Sequence, residues 1–80
     1  MIDKKTFLNY CIQCVEEEHG DLTTLETKII DTGMDSFGIT MTLTDIDQTY
    51  LGSAMIQWGD KVETLTFLDL YEMAVDNDTK

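Results

Sequence analysis

From Asp3 to Glu18 the apolar residues Phe7, Leu8, Cys11, Cys14 and Val15 recur at steps of three and four, which a 3.6-residue turn gathers onto one face. This spacing predicts an amphipathic helix. Asp3 stands where its carboxylate can accept from the free amides of the first turn. At the other end Glu16, Glu17, Glu18 and His19 run into Gly20, the residue type that most readily leaves a helix in a left-handed conformation. The three glutamates there oppose the helix dipole. Asp21 to Asp35 shows no sustained period, with Leu22, Leu25, Ile29 and Ile30 scattered among Thr, Asp and Gly. We expect a long ordered loop pinned to the core by those four side chains, and a loop of that length is usually functional.

Two templates compete over Ser36 to Tyr50. Ile39, Thr40, Met41, Thr42, Leu43 and Thr44 alternate apolar and polar and include β-branched threonines, as a strand would. Ile39, Leu43, Ile46 and Tyr50 instead form one stripe at helical spacing, and it continues past Asp45 and Asp47, where the alternation fails. The helix is favoured. Leu51 to Trp58 suggests a short helix before a Gly59-Asp60 turn. Thr64 to Val75 reads as a last helix with Leu65, Leu68 beside Phe67, Tyr71 beside Leu70, and Val75 inward, capped by Thr64 or Thr66. Four helices and no proline predict an all-α bundle of three main helices and one short one, with a long first loop.

Composition narrows what such a bundle can do. With 80 residues the chain is expected to be one domain, 1–80, with Asp76 to Lys80 a loose tail. A core this small leaves little room for a large internal active site. Five lysines, no arginine and sixteen carboxylates give a net charge of −11, a field that repels phosphate backbones and anionic lipid headgroups. Nucleic acid and membrane insertion are therefore not expected, whereas a protein with a basic docking patch is. Cys11 and Cys14 are too few and too close for a disulfide framework, and no signal or spanning segment is evident. A monomer in the reducing cytoplasm is the expectation.

The segment richest in chemistry is Asp31-Thr32-Gly33-Met34-Asp35-Ser36-Phe37, a serine after an acidic residue where a Gly-containing loop meets a predicted helix. Here the chain resembles the acyl carrier protein family, whose signature is an acidic residue, usually Leu, Gly, any residue, then Asp-Ser-Leu. Asp31, Gly33, Asp35 and Ser36 match it, while Thr32 and Phe37 stand where leucine is usual. The resemblance extends over nearly the whole chain, through Leu43, Ile46 and Tyr50, and resumes at Lys61-Val62-Glu63-Thr64-Leu65 and Asp69-Leu70-Tyr71.

The resemblance implies a carrier, not an enzyme. Ser36 would hold a 4'-phosphopantetheine arm, donated by coenzyme A and joined as a phosphodiester, whose thiol carries an acyl group as a thioester. A phosphodiester at a helix start would meet free amides and the positive dipole end, and Gly33 would let the backbone turn. Asp35 would be read by the phosphopantetheinyl transferase (holo-acyl-carrier-protein synthase); its plainer reading is a helix cap. Phe37, Met41, Asp45 and Asp47 would form the face on which acyl-transferring and condensing enzymes with basic patches dock. Ile39, Leu43, Ile46, Leu65, Leu68 and Tyr71 would line an acyl pocket, or be ordinary core. Thr40, Thr42, Thr44 and Thr49 replace a face commonly richer in Glu, which suggests a specialised carrier, and Gly38 adds local looseness. A carrier of aminoacyl or peptidyl groups is the close alternative; those more often show Gly-Gly before the Asp- or His-Ser pair, whereas Gly33-Met34-Asp35 leans to the acyl type.

Other signals carry less. Ile29-Ile30-Asp31-Thr32-Gly33 has the form of the catalytic turn of retroviral-type aspartic proteases, with Asp31 as one of a shared pair, but a chain that opens with a helix and lacks a flap-like run argues against it. Cys11-Ile12-Gln13-Cys14 lies within a helix rather than at its start, where a thiolate would be favoured. With His19 the two cysteines make only three zinc ligands, so no metal site is expected. Asp45 to Tyr50 opens like a calcium loop, yet Tyr50 stands where Gly is needed and Ile56 where Glu should close it. Met55, Ile56 and Trp58 form a candidate exposed patch.

Overall fold

The computed structural model describes residues 2–52 and 59–78. Three α-helices, α1 (Lys4–Glu17), α2 (Ser36–Tyr50) and α3 (Phe67–Asp78), pack around one core, with single 3-10 segments at Ile29–Thr32 and Gly59–Glu63. No strand occurs among the described residues, whose only β-type pairing is an isolated Lys28–Thr66 bridge.

α1 forms where the apolar spacing places it. Asp3 caps it, one carboxylate oxygen accepting from Thr6 N at 2.9 Å and Thr6 Oγ1 at 3.1 Å, and Phe7, Cys11, Cys14 and Val15 are buried on one face. The exit differs in detail from the expectation. His19, not Gly20, takes the left-handed conformation, at φ 65°. Gly20 N donates to Val15 O at 2.9 Å and His19 N to Glu16 O at 3.1 Å, the paired bonds of a Schellman termination. Gly20 serves space instead: a Cβ there would lie 2.7 Å from Met34 Cγ, 2.8 Å from Val15 Cγ1 and 3.0 Å from Thr32 O.

The loop of residues 21–35 is ordered by burial and by its backbone. Leu22, Leu25 and Ile29 are buried, but Ile30 points outward, 40% exposed, because the 3-10 turn rotates it away from its neighbour. Asp21 N donates to Thr32 O at 2.8 Å, tying the two ends together. The middle of the loop serves α3. Leu68 N donates to Leu25 O at 2.7 Å and Phe67 N to Thr27 O at 3.3 Å, while Ile29 N donates to Leu65 O at 3.0 Å. Thr66 and Asp69 complete the cap reciprocally, Asp69 N donating to Thr66 Oγ1 at 3.1 Å and Thr66 N to Asp69 Oδ2 at 3.0 Å. The free amides of a helix start are thus met by loop carbonyls and by side chains.

α2 has the boundaries expected of it, and the helical stripe prevails over the alternating pattern. Its buried set is Gly38, Thr42, Leu43, Ile46 and Asp47, so the inward face is rotated toward Thr42 and leaves Ile39 and Tyr50 half-buried. α3 begins at Phe67, later than expected, and buries Phe67, Leu70 and Ala74. Leu68, Tyr71 and Val75, expected inward, are half-buried at its flanks. The helix runs to Asp78, so 76–78 are helical rather than loose tail. The expected short helix lies, apart from Leu51 and Gly52, outside the described residues, as does the Met55, Ile56 and Trp58 patch. Phe7 joins the three helices, its ring edge-on to Tyr50 of α2 at 4.9 Å and to Tyr71 of α3 at 5.5 Å.

Because a backbone carbonyl and two packed side chains surround Gly20, we expect Gly20→Ala to lower the unfolding free energy by about 1–3 kcal/mol in urea titrations. Gly33, at φ 86° with nothing within 4 Å of an added Cβ, is limited by conformation alone, and Gly33→Ala should cost about 1–2 kcal/mol.

Candidate functional site

Ser36 is the first residue of α2 and is exposed. Three local features put it there. Gly33 closes the 3-10 turn in the left-handed region at φ 86°, Met34 is drawn into the core at 7% exposure, and Asp35 caps the helix, its Oδ1 accepting from Gly38 N at 2.7 Å. Ile39 N bonds the Asp35 carbonyl at 3.0 Å. The amides of Ser36 and Phe37 have no helix carbonyl to meet, which leaves the positive end of the helix beside the Ser36 hydroxyl. An anionic group on that oxygen would be favoured electrostatically.

Gly38 has a clearer role than local looseness. A Cβ at Gly38 would lie 3.1 Å from Glu18 Cβ and 3.3 Å from both Met34 Cβ and Asp35 Oδ1. The end of α1 and the start of α2 meet closely here, so that a side chain would require its neighbours to shift by a few tenths of an ångström. Thr42, fully buried one turn further on, donates from Oγ1 to Met34 Sδ at 3.3 Å. Met34, Gly38 and Thr42 thus anchor the serine turn. Thr42, expected on the outer face of α2 with Thr40, Thr44 and Thr49, is thus fully buried instead; Met34 does not stand out in the sequence, and Gly38 is visible there only as a glycine two positions into a helix.

Beside Ser36 the outer face of α2 is apolar. Phe37 is 69% exposed and Met41, one turn on, 38%. Asp45 follows on the same face, half-buried, its carbonyl accepting from Tyr10 OH at 3.3 Å. Asp47 departs from the expected docking set: at 8% exposure it faces inward, because its position is one turn from Leu43 on the buried side. The threonines are engaged with backbone and core. Thr40 Oγ1 donates to Ser36 O at 2.9 Å and Thr44 Oγ1 to Thr40 O at 2.8 Å, while Thr49 Oγ1 lies 2.8 Å from Tyr10 OH.

The residues expected to line an acyl pocket divide into two groups. Leu43, Ile46 and Leu65 are packed in the core, with Ile39 at its edge. Tyr71 sits at the other flank, its hydroxyl donating to Ile2 O at 2.9 Å, and Leu68 lines a surface groove against α1. Asp31 is exposed within the 3-10 turn, and no strand among the described residues supports a protease turn. Cys11 and Cys14 are free and buried. Burial pushes both thiols above the usual value of 9.0, and for Cys11 the neighbouring Cys14 adds to the effect. No group of three potential metal ligands exists among the described residues, and no described helix is long and apolar enough to cross a membrane.

Compared with protein-family models, curated proteins and solved structures, the chain matches none.

Removing the cap should be felt locally and globally: Asp35→Ala is expected to cost about 1 kcal/mol of stability and Asp35→Asn much less, since asparagine caps nearly as well. The buried thiols set a pH dependence. A folded value raised above the unfolded one gives stability that is intact below the unfolded value and lost as pH rises past it. Urea midpoints should therefore hold near neutrality and fall above about pH 8.5, and native protein at pH 8 should resist alkylation of both cysteines until unfolded.

Proposed function

We propose that the chain is a carrier protein that holds acyl intermediates as thioesters on a 4'-phosphopantetheine arm attached to Ser36. The observation that carries this reading is an exposed serine at the first position of α2, preceded by a capping aspartate and a left-handed glycine, in a segment that matches the acyl carrier signature at Asp31, Gly33, Asp35 and Ser36. The three-helix arrangement with its long first loop is compatible with a small carrier bundle.

In this reading the serine oxygen attacks the pantetheine-side phosphorus of coenzyme A and gives up its proton to the transferase, the pyrophosphate bond breaks to release 3',5'-adenosine diphosphate, and the helix start steadies the resulting phosphodiester. Tethering then presents the thioester to each docked enzyme at high effective concentration. The protein supplies the attachment point and the docking face, and partner enzymes supply the catalysis. Phe37 and Met41 are exposed beside the serine, so an apolar contact with a basic surround on the partner fits them. The net charge of −11 favours encounter with such a surface. Asp35 combines cap and recognition, and Asp45 contributes at the edge. Cytoplasmic location and a monomeric state belong to the same proposal.

Incubation with coenzyme A and broad-specificity phosphopantetheinyl transferases should raise the intact mass of the wild type by one arm and leave Ser36→Ala unchanged. Addition to the alanine variant, or none to the wild type with several transferases, overturns the reading. Asp35→Asn keeps the cap but removes the charge, so its loading should slow about tenfold, as for loss of one charge-assisted contact; a rate equal to wild type assigns Asp35 to capping alone.

A further inference from the structure

A groove of about 340 Å³ opens between the start of α1, the loop at 23–26 and the first turn of α3, a size at the small end of ligand sites. Leu8 from α1, Leu25 from the loop and Leu68 from α3 line its apolar part, and Lys4, Lys5 and Glu26, with two loop threonines, complete it. Two of the five lysines of a chain with net charge −11 therefore meet at one apolar groove.

Their position is electrostatically unfavourable within the chain itself. Both lie in the first turn of α1, which holds no acidic residue, and cations there oppose the positive end of the helix dipole. The nearest carboxylate in sequence, Asp3, is bonded to Thr6 N and Oγ1. Lys4 Nζ sits 5.8 Å from the centre of the Tyr71 ring, a cation–π contact. Glu26 is the single negative group among the lining residues.

We infer that this groove is a binding site for a medium-chain alkyl carboxylate, the chain lying against Leu8, Leu25 and Leu68 and the carboxylate meeting Lys4 and Lys5. Two lysines against one glutamate make the groove locally positive, which selects an anion against the repulsion of the overall −11 charge. The apolar floor selects a chain over a small inorganic anion. The site needs no group on Ser36 and stands apart from the carrier reading.

The test uses the unmodified 80-residue protein with methyl-resolved NMR, titrated with sodium octanoate, n-octanol and octyltrimethylammonium below the concentrations at which they aggregate. Octanoate should shift the Leu8, Leu25 and Leu68 methyls saturably, with a dissociation constant on the order of 1 mM. It should bind about threefold or more tightly than octanol, and the cation should bind most weakly. Lys4→Gln/Lys5→Gln should remove the preference for octanoate over octanol, as loss of exposed charge pairs would, while circular dichroism keeps its helical form. Glu26→Gln should tighten octanoate, and Ser36→Ala should leave it unchanged. Equal binding of octanoate and octanol, absence of saturation with octanoate, or shifts centred on Leu43 and Ile46 overturns the inference.

Discussion

Met34 is held from three directions at once. Gly20 admits its Cγ from the end of α1, Gly38 admits its Cβ from the start of α2, and the buried Thr42 hydroxyl reaches its sulfur. Two residues later the chain presents Ser36 to solvent. The exposure of the serine thus depends on the burial of the methionine: with Met34 anchored and Gly33 turning the backbone at φ 86°, Asp35 comes to the cap position and Ser36 becomes the first helical residue. A long flexible thioether suits such a gap, since it can fill an irregular space and still accept a weak hydrogen bond.

The same economy appears in the first loop. An 80-residue chain has little apolar surface to spend on ordering a segment as long as 21–35. The loop is held by five buried side chains, Leu22, Leu25, Ile29, Thr32 and Met34, and by lending its carbonyls to the start of α3. Loop and helix each satisfy what the other leaves open, so neither has to carry the cost of an unbonded buried backbone group. The loop thereby couples the serine turn at one end to the α3 start, and the groove of Leu25 and Leu68 lies on the outside of that joint.

Exposed and buried apolar side chains separate onto opposite sides of α2. Phe37 and Met41 lie open beside the serine, while Leu43 and Ile46 on the inner side of the same helix are closed into the core. An apolar group entering between the helices would have to displace tightly packed side chains, whereas Phe37 is already open to solvent. The aromatic contacts around Phe7 lock the far ends of the helices together, opposite the end at which α1 and α2 meet near the serine.

Local chemistry made much of this legible in advance. Asp3 as a cap, α1 and α2 with nearly their observed limits and Ser36 at a helix start follow from side-chain periodicity and from what each residue type does to its own backbone. Other features arise only when elements meet. Gly20 is demanded by close contacts across α1 and the loop, and Gly38 fits a tight approach of α1 to α2; Asp47 turns inward and Ile30 outward because packing sets the rotation of each segment; and α3 buries Phe67, Leu70 and Ala74 because loop carbonyls set where it begins. A sequence determines which faces a helix has, since that depends on neighbours within a few residues. Which face is turned inward, and where two backbones approach too closely for a side chain, is decided by residues distant along the chain, and only tertiary structure brings them together.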